Sequence, residues 1–390
     1  MATQAIAVQL PGALAPYARP RQRWRAGCEI EVLREGRQTY PAMLAAIAGA
    51  TRSIALEIYA LFADRTGDRF RQALLERARA GVAVRVLYDA VGSFGMTDAW
   101  FADLRAAGAE IVDFNPIAPW RARHRLSHRD HRKLLVVDDE VAFTGGLNIG
   151  DHYADIADGG AGWHDMHCRV RGPAVLDLAR LFRRTWQRAG GGAYPLPARA
   201  ATFADPVGTS YARVIENSRR RAKGAFRRAY LHVIRQARER VLIQNAYFLP
   251  DRGVRRVLAR AARRGVIVSV MVPGASDVKM VGYASDYVLR RLARLGVEIL
   301  RWQGPMMHAK TAVVDGVWST IGSYNFDAQS RFNNLELTLE ILDPEVGATL
   351  VAEYEGDRAS CAPYDEAAWR RLPWWRKGLA WLCYRLRRWL

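Results

Sequence analysis

The chain has 390 residues, half of them apolar and a quarter charged, a composition that supports a folded core and excludes a disordered or low-complexity chain. Its formal net charge of +19 points to anionic partners, either nucleic acid or an acidic membrane surface, with part of the excess reflecting a general use of arginine over lysine. Cys28, Cys168, Cys361 and Cys383 show neither paired nor metal-like spacing, which fits free thiols in a reducing compartment. The N-terminus lacks a basic start and is broken by Pro11 and Pro16, unlike a signal peptide. No window holds the roughly 18 apolar residues that a membrane span needs, so membrane attachment would be peripheral.

In chain order, residues 1–27 read as an irregular lead. Glu29–Leu33 and Gln38–Tyr40 flank Glu35-Gly36 as a hairpin, and Pro41–Gly49 as a helix with proline in its first turn. Then come a strand over Ile54–Leu61, a helix over Asp68–Ala80 stopped by Gly81, and a strand over Val82–Tyr88. A helix over Trp100–Ala107 and a strand over Gly108–Phe114 complete the first series. The order then returns: helix Arg228–Arg238, strand Val241–Phe248, helix Gly253–Arg264 stopped by Gly265, and strand Val266–Val272. Tyr59-Ala-Leu-Phe answers Tyr247-Phe-Leu-Pro. This alternation predicts α/β layers in two similar domains, over 28–195 and 196–345, joined near Gly190–Pro206. A tail over 346–390 follows.

The chemistry lies in a repeated segment. His131–Asn148 reads HRKLLVVDDEVAFTGGLN and His308–Asn325 reads HAKTAVVDGVWSTIGSYN, agreeing at seven of eighteen positions. Strand parity places His131 and Lys133 on one face and turns Asp138 away from it. Asp315-Gly316 is a hairpin-turn signal, so Asp138 and Asp315 are either members of the reacting set or turn clamps. A neutral imidazole can attack phosphorus, and a second can protonate the leaving alkoxide and activate the incoming alcohol. Lys133 and Lys310 would hold the phosphate oxygens, with the Asn148 and Asn325 amides as neutral donors. This set is electrostatically complete without a metal or other cofactor. His124 and His128 read as part of a basic loop, and neither they nor His164 and His167 complete a plausible ligand set.

HxKxxxxD followed by GGxN or GSxN resembles the signature of the phospholipase D superfamily. The resemblance implies a duplicated phospholipase D-type fold: two similar α/β domains, each with a central mixed β-sheet flanked by helices, and an active site at their interface. It also implies an acidic residue downstream of each Asn that holds a catalytic imidazole. Asp165 and Glu336 stand in the matching places. One histidine would be the nucleophile and the other the acid/base, with His131 favoured as nucleophile. Glu31-Val-Leu-Arg-Glu-Gly, Leu56-Glu-Ile-Tyr and Asn245-Ala-Tyr-Phe-Leu-Pro250 extend the resemblance over residues 28–345. There the chain is similar to bacterial cardiolipin synthases of the shorter type, without an N-terminal transmembrane pair. The implied reaction transfers a phosphatidyl group between two phosphatidylglycerol molecules, giving cardiolipin and glycerol. Phospholipid hydrolysis, or nuclease activity of the same superfamily, is the alternative.

The tail supplies the partner. Trp375, Leu379, Leu382, Leu386 and Trp389 share one helical face, with Arg376, Lys377, Arg385, Arg387 and Arg388 on the other side. Such a helix suits an anionic phospholipid membrane surface, or else docks on the protein's own core. The expectation is a peripheral protein on the cytoplasmic face of the bacterial inner membrane, with no nucleic acid partner. Basic Arg219–Arg228 reads as a second surface of this kind or as a solvated helix. A duplicated chain completes its site alone, and its oligomeric state stays open.

Overall fold

The computed structural model describes residues 10–19, 23–116, 128–194, 206–217 and 224–388. The first half runs β1 (Arg25–Arg34), α1 (Glu35–Ala48), β2 (Ser53–Ile58), α2 (Arg65–Arg79), β3 (Ala83–Asp89), α3 (Ala102–Ala106) and β4 (Glu110–Phe114). It ends with β5 (Lys133–Val137), β6 (Val141–Gly145), β7 (Met166–Arg171) and α4 (Ala174–Arg188). The second half repeats the order: β8 (Ser210–Glu216), α5 (Ala225–Gln236), β9 (Arg240–Asn245), α6 (Arg252–Arg263), β10 (Ile267–Pro273), α7 (Lys279–Ala293) and β11 (Glu298–Trp302). Then come β12 (Lys310–Val314), β13 (Trp318–Gly322), β14 (Leu337–Leu342) and α8 (Pro344–Arg358). A short β15 (Cys361–Pro363) and helices α9 (Glu366–Arg371) and α10 (Trp374–Arg385) complete the chain.

Strand order is palindromic. One half reads β4-β3-β2-β5-β6-β7-β1 and the other β11-β10-β9-β12-β13-β14-β8, joined where β1 pairs antiparallel with β8. In each half three strands are parallel (β2-β3-β4 and β9-β10-β11) and the rest antiparallel, so each sheet is mixed. Parallel strands need covered faces, and the near-continuous apolar runs of β2, β5, β9 and β12 meet that need. One apolar cluster belongs to each half. A third, including Phe182 and Trp186 of α4 with Ile341, Leu350 and Tyr354, spans both and fixes the halves against each other.

The expected hairpin at Glu35-Gly36 does not form. Glu35 does turn the chain, with φ of +57°, but it leads into α1, six residues before the predicted helix start at Pro41. Tertiary contacts decide this. The Glu35 amide donates to the Asp165 carbonyl at 2.8 Å, and the buried Tyr40 hydroxyl donates to the Asn148 carbonyl at 2.7 Å.

Helix α10 lies against α7 through Ala380, Cys383 and Tyr384, whose ring is 4.8 Å from Tyr287. Of the predicted stripe, Leu379 packs against the core while Trp375, Leu382 and Leu386 point outward, joined there by Trp374 and Trp381. A small docking face and a separate exposed apolar face coexist on one helix. Trp389, His124 and residues 219–223 of the basic segment lie outside the described residues.

Candidate active site

Lys133 opens β5 opposite Ile58, the last residue of β2, and Lys310 opens β12 opposite Asn245, the last of β9. Each histidine stands two residues earlier, so each enters at the equivalent edge of its own half of the sheet. Backbone bonds across the halves hold them there. The His131 amide donates to the Leu335 carbonyl at 3.0 Å, and the His308 amide to the His164 carbonyl at 2.6 Å. Asp130 thus bridges to Leu335 and His164 to Met307, one crossing per copy.

The carboxylates cross over too. His131 Nδ1 lies 3.1 Å from Glu336 of the second half, and His308 Nδ1 lies 2.8 Å from Asp165 of the first. A carboxylate at Nδ1 fixes the proton there and leaves the Nε2 lone pair for chemistry. Asp165 and Glu336 are therefore placed against the rings. Lys133 Nζ donates to the His131 carbonyl at 2.7 Å and sits 4.9 Å from the Tyr59 ring centre; Lys310 Nζ donates to the His308 carbonyl. Lys310 Nζ is also 2.8 Å from His308 Nδ1, so ammonium and carboxylate compete for that nitrogen.

Burial and mutual repulsion set the charge states. Burial lowers the His131 pKa, helped by Lys133 and opposed by Glu336. Burial and both lysines hold His308 well below its ordinary value. Burial brings Lys133 down to about 7 and Lys310 to about 8, while Asp165 rises to about 6. Each lysine depresses the other half's histidine, so the four groups share one field. The site holds neutral imidazoles and easily discharged lysines, a cradle suited to an anion. Affinity for an oxyanion of constant charge, such as sulfate, should accordingly be strongest below pH 7. It should weaken as the lysines lose protons between about 7 and about 8. Calorimetric titration from about pH 6 to about pH 9 checks this, and a flat profile contradicts it.

The asparagines are built into the frame. Asn148 Oδ1 accepts from the Ala60 amide at 3.1 Å, and its Nδ2 donates to the Tyr153 hydroxyl at 2.9 Å. That hydroxyl lies 3.3 Å from His308 Nδ1, which ties Asn148 to the histidine of the other half. Asn325 is buried beside the turn that carries Asp327 and Ser330, with its amide N–H donating to Ser330 Oγ at 3.3 Å.

Asp138 and Asp315 are not brought to the histidines, so their grouping with the reacting residues is corrected. They follow the far ends of β5 and β12, roughly 16 Å along a five-residue strand from the lysines. Asp138 accepts from the amides of Thr51, Arg52 and Ser53 at 2.7–2.8 Å, and Asp315 from those of Arg238, Glu239 and Arg240 at 2.9 Å. Both have φ of +54°, as a turn clamp requires. Burial pushes the Asp138 carboxyl up, but the three amides outweigh it and hold it below its usual range. A lowered pKa stabilises the fold above the unfolded value of about 4 and is lost as acid protonates the group. Asp138→Ala should cost about 2 kcal/mol or more, read from urea midpoints near neutrality, with the penalty shrinking in acid. Unchanged neutral stability would contradict the clamp.

The motif's glycines have a steric cause. A Cβ on Gly145 or Gly322 would meet the facing strand's carbonyl at 2.4 or 2.5 Å. On Gly146 it would lie 2.1 Å from Asp165, whereas its counterpart Ser323 donates its hydroxyl to Glu336. The second position therefore differs between copies according to the carboxylate beside it.

Three contributors had weak signals or none in the sequence. Tyr59, edge-on to His131 at 4.7 Å, recurs as Tyr247, 6.3 Å from His308, so their pairing was a usable signal. Tyr153 and the partners of Arg132 had none. His164 leaves any ligand role for a buried ion-pair cluster: it lies 2.8 Å from both Glu35 and Asp357 and stacks on Trp302. Burial opposes its charge, but the two carboxylates win and raise its pKa to about 9.

The family model described as "Cardiolipin synthase, PLD-like domain" matches residues 43–168 and 230–358. A cardiolipin synthase of Geobacillus kaustophilus is 32% identical over 90% of this chain and 73% of its own. A cardiolipin synthase B of Salmonella typhi is 33% identical over 90% of this chain and 86% of its own. Among solved structures, the phosphatidylserine synthase of Haemophilus influenzae superimposes with a TM-score of 0.66 at 16% identity, covering 92% of this chain and 93% of that one. It shares the fold.

Proposed function

Because the chain belongs to the cardiolipin synthase family of phospholipase D-like proteins, we propose that it is a phosphatidyltransferase joining two phosphatidylglycerol molecules into cardiolipin and glycerol. One observation carries the mechanism: two imidazoles, each held at Nδ1 by a carboxylate of the opposite half, share one buried field with two lysines. His131 Nε2 attacks phosphorus while the bond from phosphorus to the glycerol oxygen breaks. His308 gives that oxygen its proton. His308 then takes the proton from a hydroxyl of the second phosphatidylglycerol, whose oxygen attacks phosphorus and releases His131. An anionic phosphate between the lysines offsets the repulsion that discharges His308, so substrate binding itself arms the acid. His131 is assigned as nucleophile on its slightly greater access, a side chain 10% exposed against 6% for His308. Asp165 and Glu336 orient the rings, and Asn148 and Asn325 brace the pocket.

The proposed partner is an anionic phospholipid membrane surface, met peripherally on the cytoplasmic face of the bacterial inner membrane, with one chain sufficient for one site. The net charge and the outward indoles of α10 support this. Among the described residues no helix is long and apolar enough to cross a membrane. Incubation with phosphatidylglycerol vesicles should yield cardiolipin and free glycerol. Phosphatidic acid as the sole lipid product would make the protein a hydrolase, and cleavage of plasmid DNA without lipid turnover would make it a nuclease.

A further inference from the structure

In each half the parallel strands, β2 and β3 or β9 and β10, end on the edge where that half's histidine enters. The loops that leave this edge carry large apolar side chains into solvent. Val91 and Phe94, the latter 81% exposed, follow β3, and Val278 and Met280 follow β10 at the equivalent place in the other half. Phe332 lies in the turn before β14.

Each loop also touches the site. Ser93, beside Phe94, bonds the Tyr59 carbonyl, and Tyr59 packs on His131. Asp277, beside Val278, accepts from the Tyr247 hydroxyl, and Leu335, close to Phe332, receives the His131 amide. Cations stand among the tips. Lys279 is exposed between Val278 and Met280, and the Arg331 guanidinium, also paired with Asp251, lies 4.6 Å from the Phe332 ring centre. Ile156 is exposed too, but half-buried Asp155 and exposed Asp158 flank it, and an anionic surface would repel both.

We infer that these five side chains seat the catalytic mouth on an anionic phospholipid bilayer. The inference rests on the phosphatidyltransferase reading and names the surface through which that site meets its lipid. Single apolar tips carried by three separate connections suit a fluid that fills between them better than a rigid protein face. A second copy placed there would close the mouth over the buried histidines. A bilayer instead lets a headgroup rise to the lysines while its acyl chains stay in lipid. The outward face of α10, docked on the helix that follows Val278, extends the apolar surface along one flank.

The test uses the full chain in a Cys361→Ser background, the other three cysteines being buried. An environment-sensitive fluorophore is attached at Phe94→Cys, Val278→Cys or Phe332→Cys, with Leu295→Cys on the opposite edge as control. Vesicles of phosphatidylglycerol and phosphatidylcholine should blue-shift the three tips and leave Leu295 unchanged. Silent tips, an equal shift at Leu295, or a shift on concentrating the protein without lipid would each overturn the seat. The double variant Phe94→Ser/Phe332→Ser should lose at least about tenfold in rate on vesicles and none on monomeric short-chain phosphatidylglycerol. Equal loss on both substrates would also overturn it. Tips that shift in a protein making no cardiolipin would uphold the seat and sink the chemistry, and cardiolipin made with silent tips would do the reverse.

Discussion

His131→Ala and His308→Ala are each expected to reduce cardiolipin formation by at least about a thousandfold, with little loss of stability. Neither ring belongs to the three apolar clusters. Each is held by a backbone bond and a carboxylate, with tyrosine rings beside it, so its removal leaves the strands and shared core intact. The two variants should still differ. A phosphatidyl ester with a p-nitrophenol leaving group needs no protonation to depart, so His308→Ala should release one equivalent of nitrophenol in a burst. The phosphoryl group should then stay on His131 for lack of a base to activate the acceptor. His131→Ala should give no burst. Stopped-flow absorbance with peptide mapping of the adduct reads both. A burst in His131→Ala and none in His308→Ala would reverse the assignment, and full turnover in either variant would refute the shared two-histidine site.

Arg132→Ala should destabilise the protein by about 3–5 kcal/mol, because it strips the countercharge from carboxylates that cannot reach water. Arg132 lies between His131 and Lys133 in sequence yet points the opposite way and is fully buried. Its guanidinium is 3.1 Å from Glu57, 2.7 Å from the Thr185 hydroxyl and 3.8 Å from Glu216. Asp130 stands in the same cluster, and burial together with Glu57 drives its pKa well above the usual carboxylate range. The second copy has Ala309 at the equivalent position and so lacks this guanidinium. Denaturant midpoints measure the loss, and Arg132→Ala/Glu57→Gln should recover part of it by removing the orphaned charge. A single variant as stable as wild type would contradict the account. Because Glu57 ends near Lys133 on the paired strand, activity should fall as the fold loosens.

Much of the site was legible because chemistry and duplication both leave marks in one dimension. Four polar identities at fixed spacing, repeated, identify the two His–Lys pairs, and strand parity already separated Asp138 from them. The alternating apolar runs set the order of strands and helices through both halves. What the spacing could not hold was any relation between residues far apart in the chain. The fate of Glu35 turned on an amide bond to Asp165, so local turn propensity lost to a tertiary contact. The direction of α10 was likewise decided by α7, which accepted Ala380, Cys383 and Tyr384 and left the tryptophans outside.

The reacting groups, their number and their pairing with a strand follow from residue type and a period of two, and both are written in the chain. That each histidine takes its carboxylate from the opposite half follows from the folded arrangement, in which the two halves meet at β1 and β8. The same arrangement sets the charge states. Burial, with two lysines held in one closed space, makes neutral imidazoles of His131 and His308, and no residue carries that information alone.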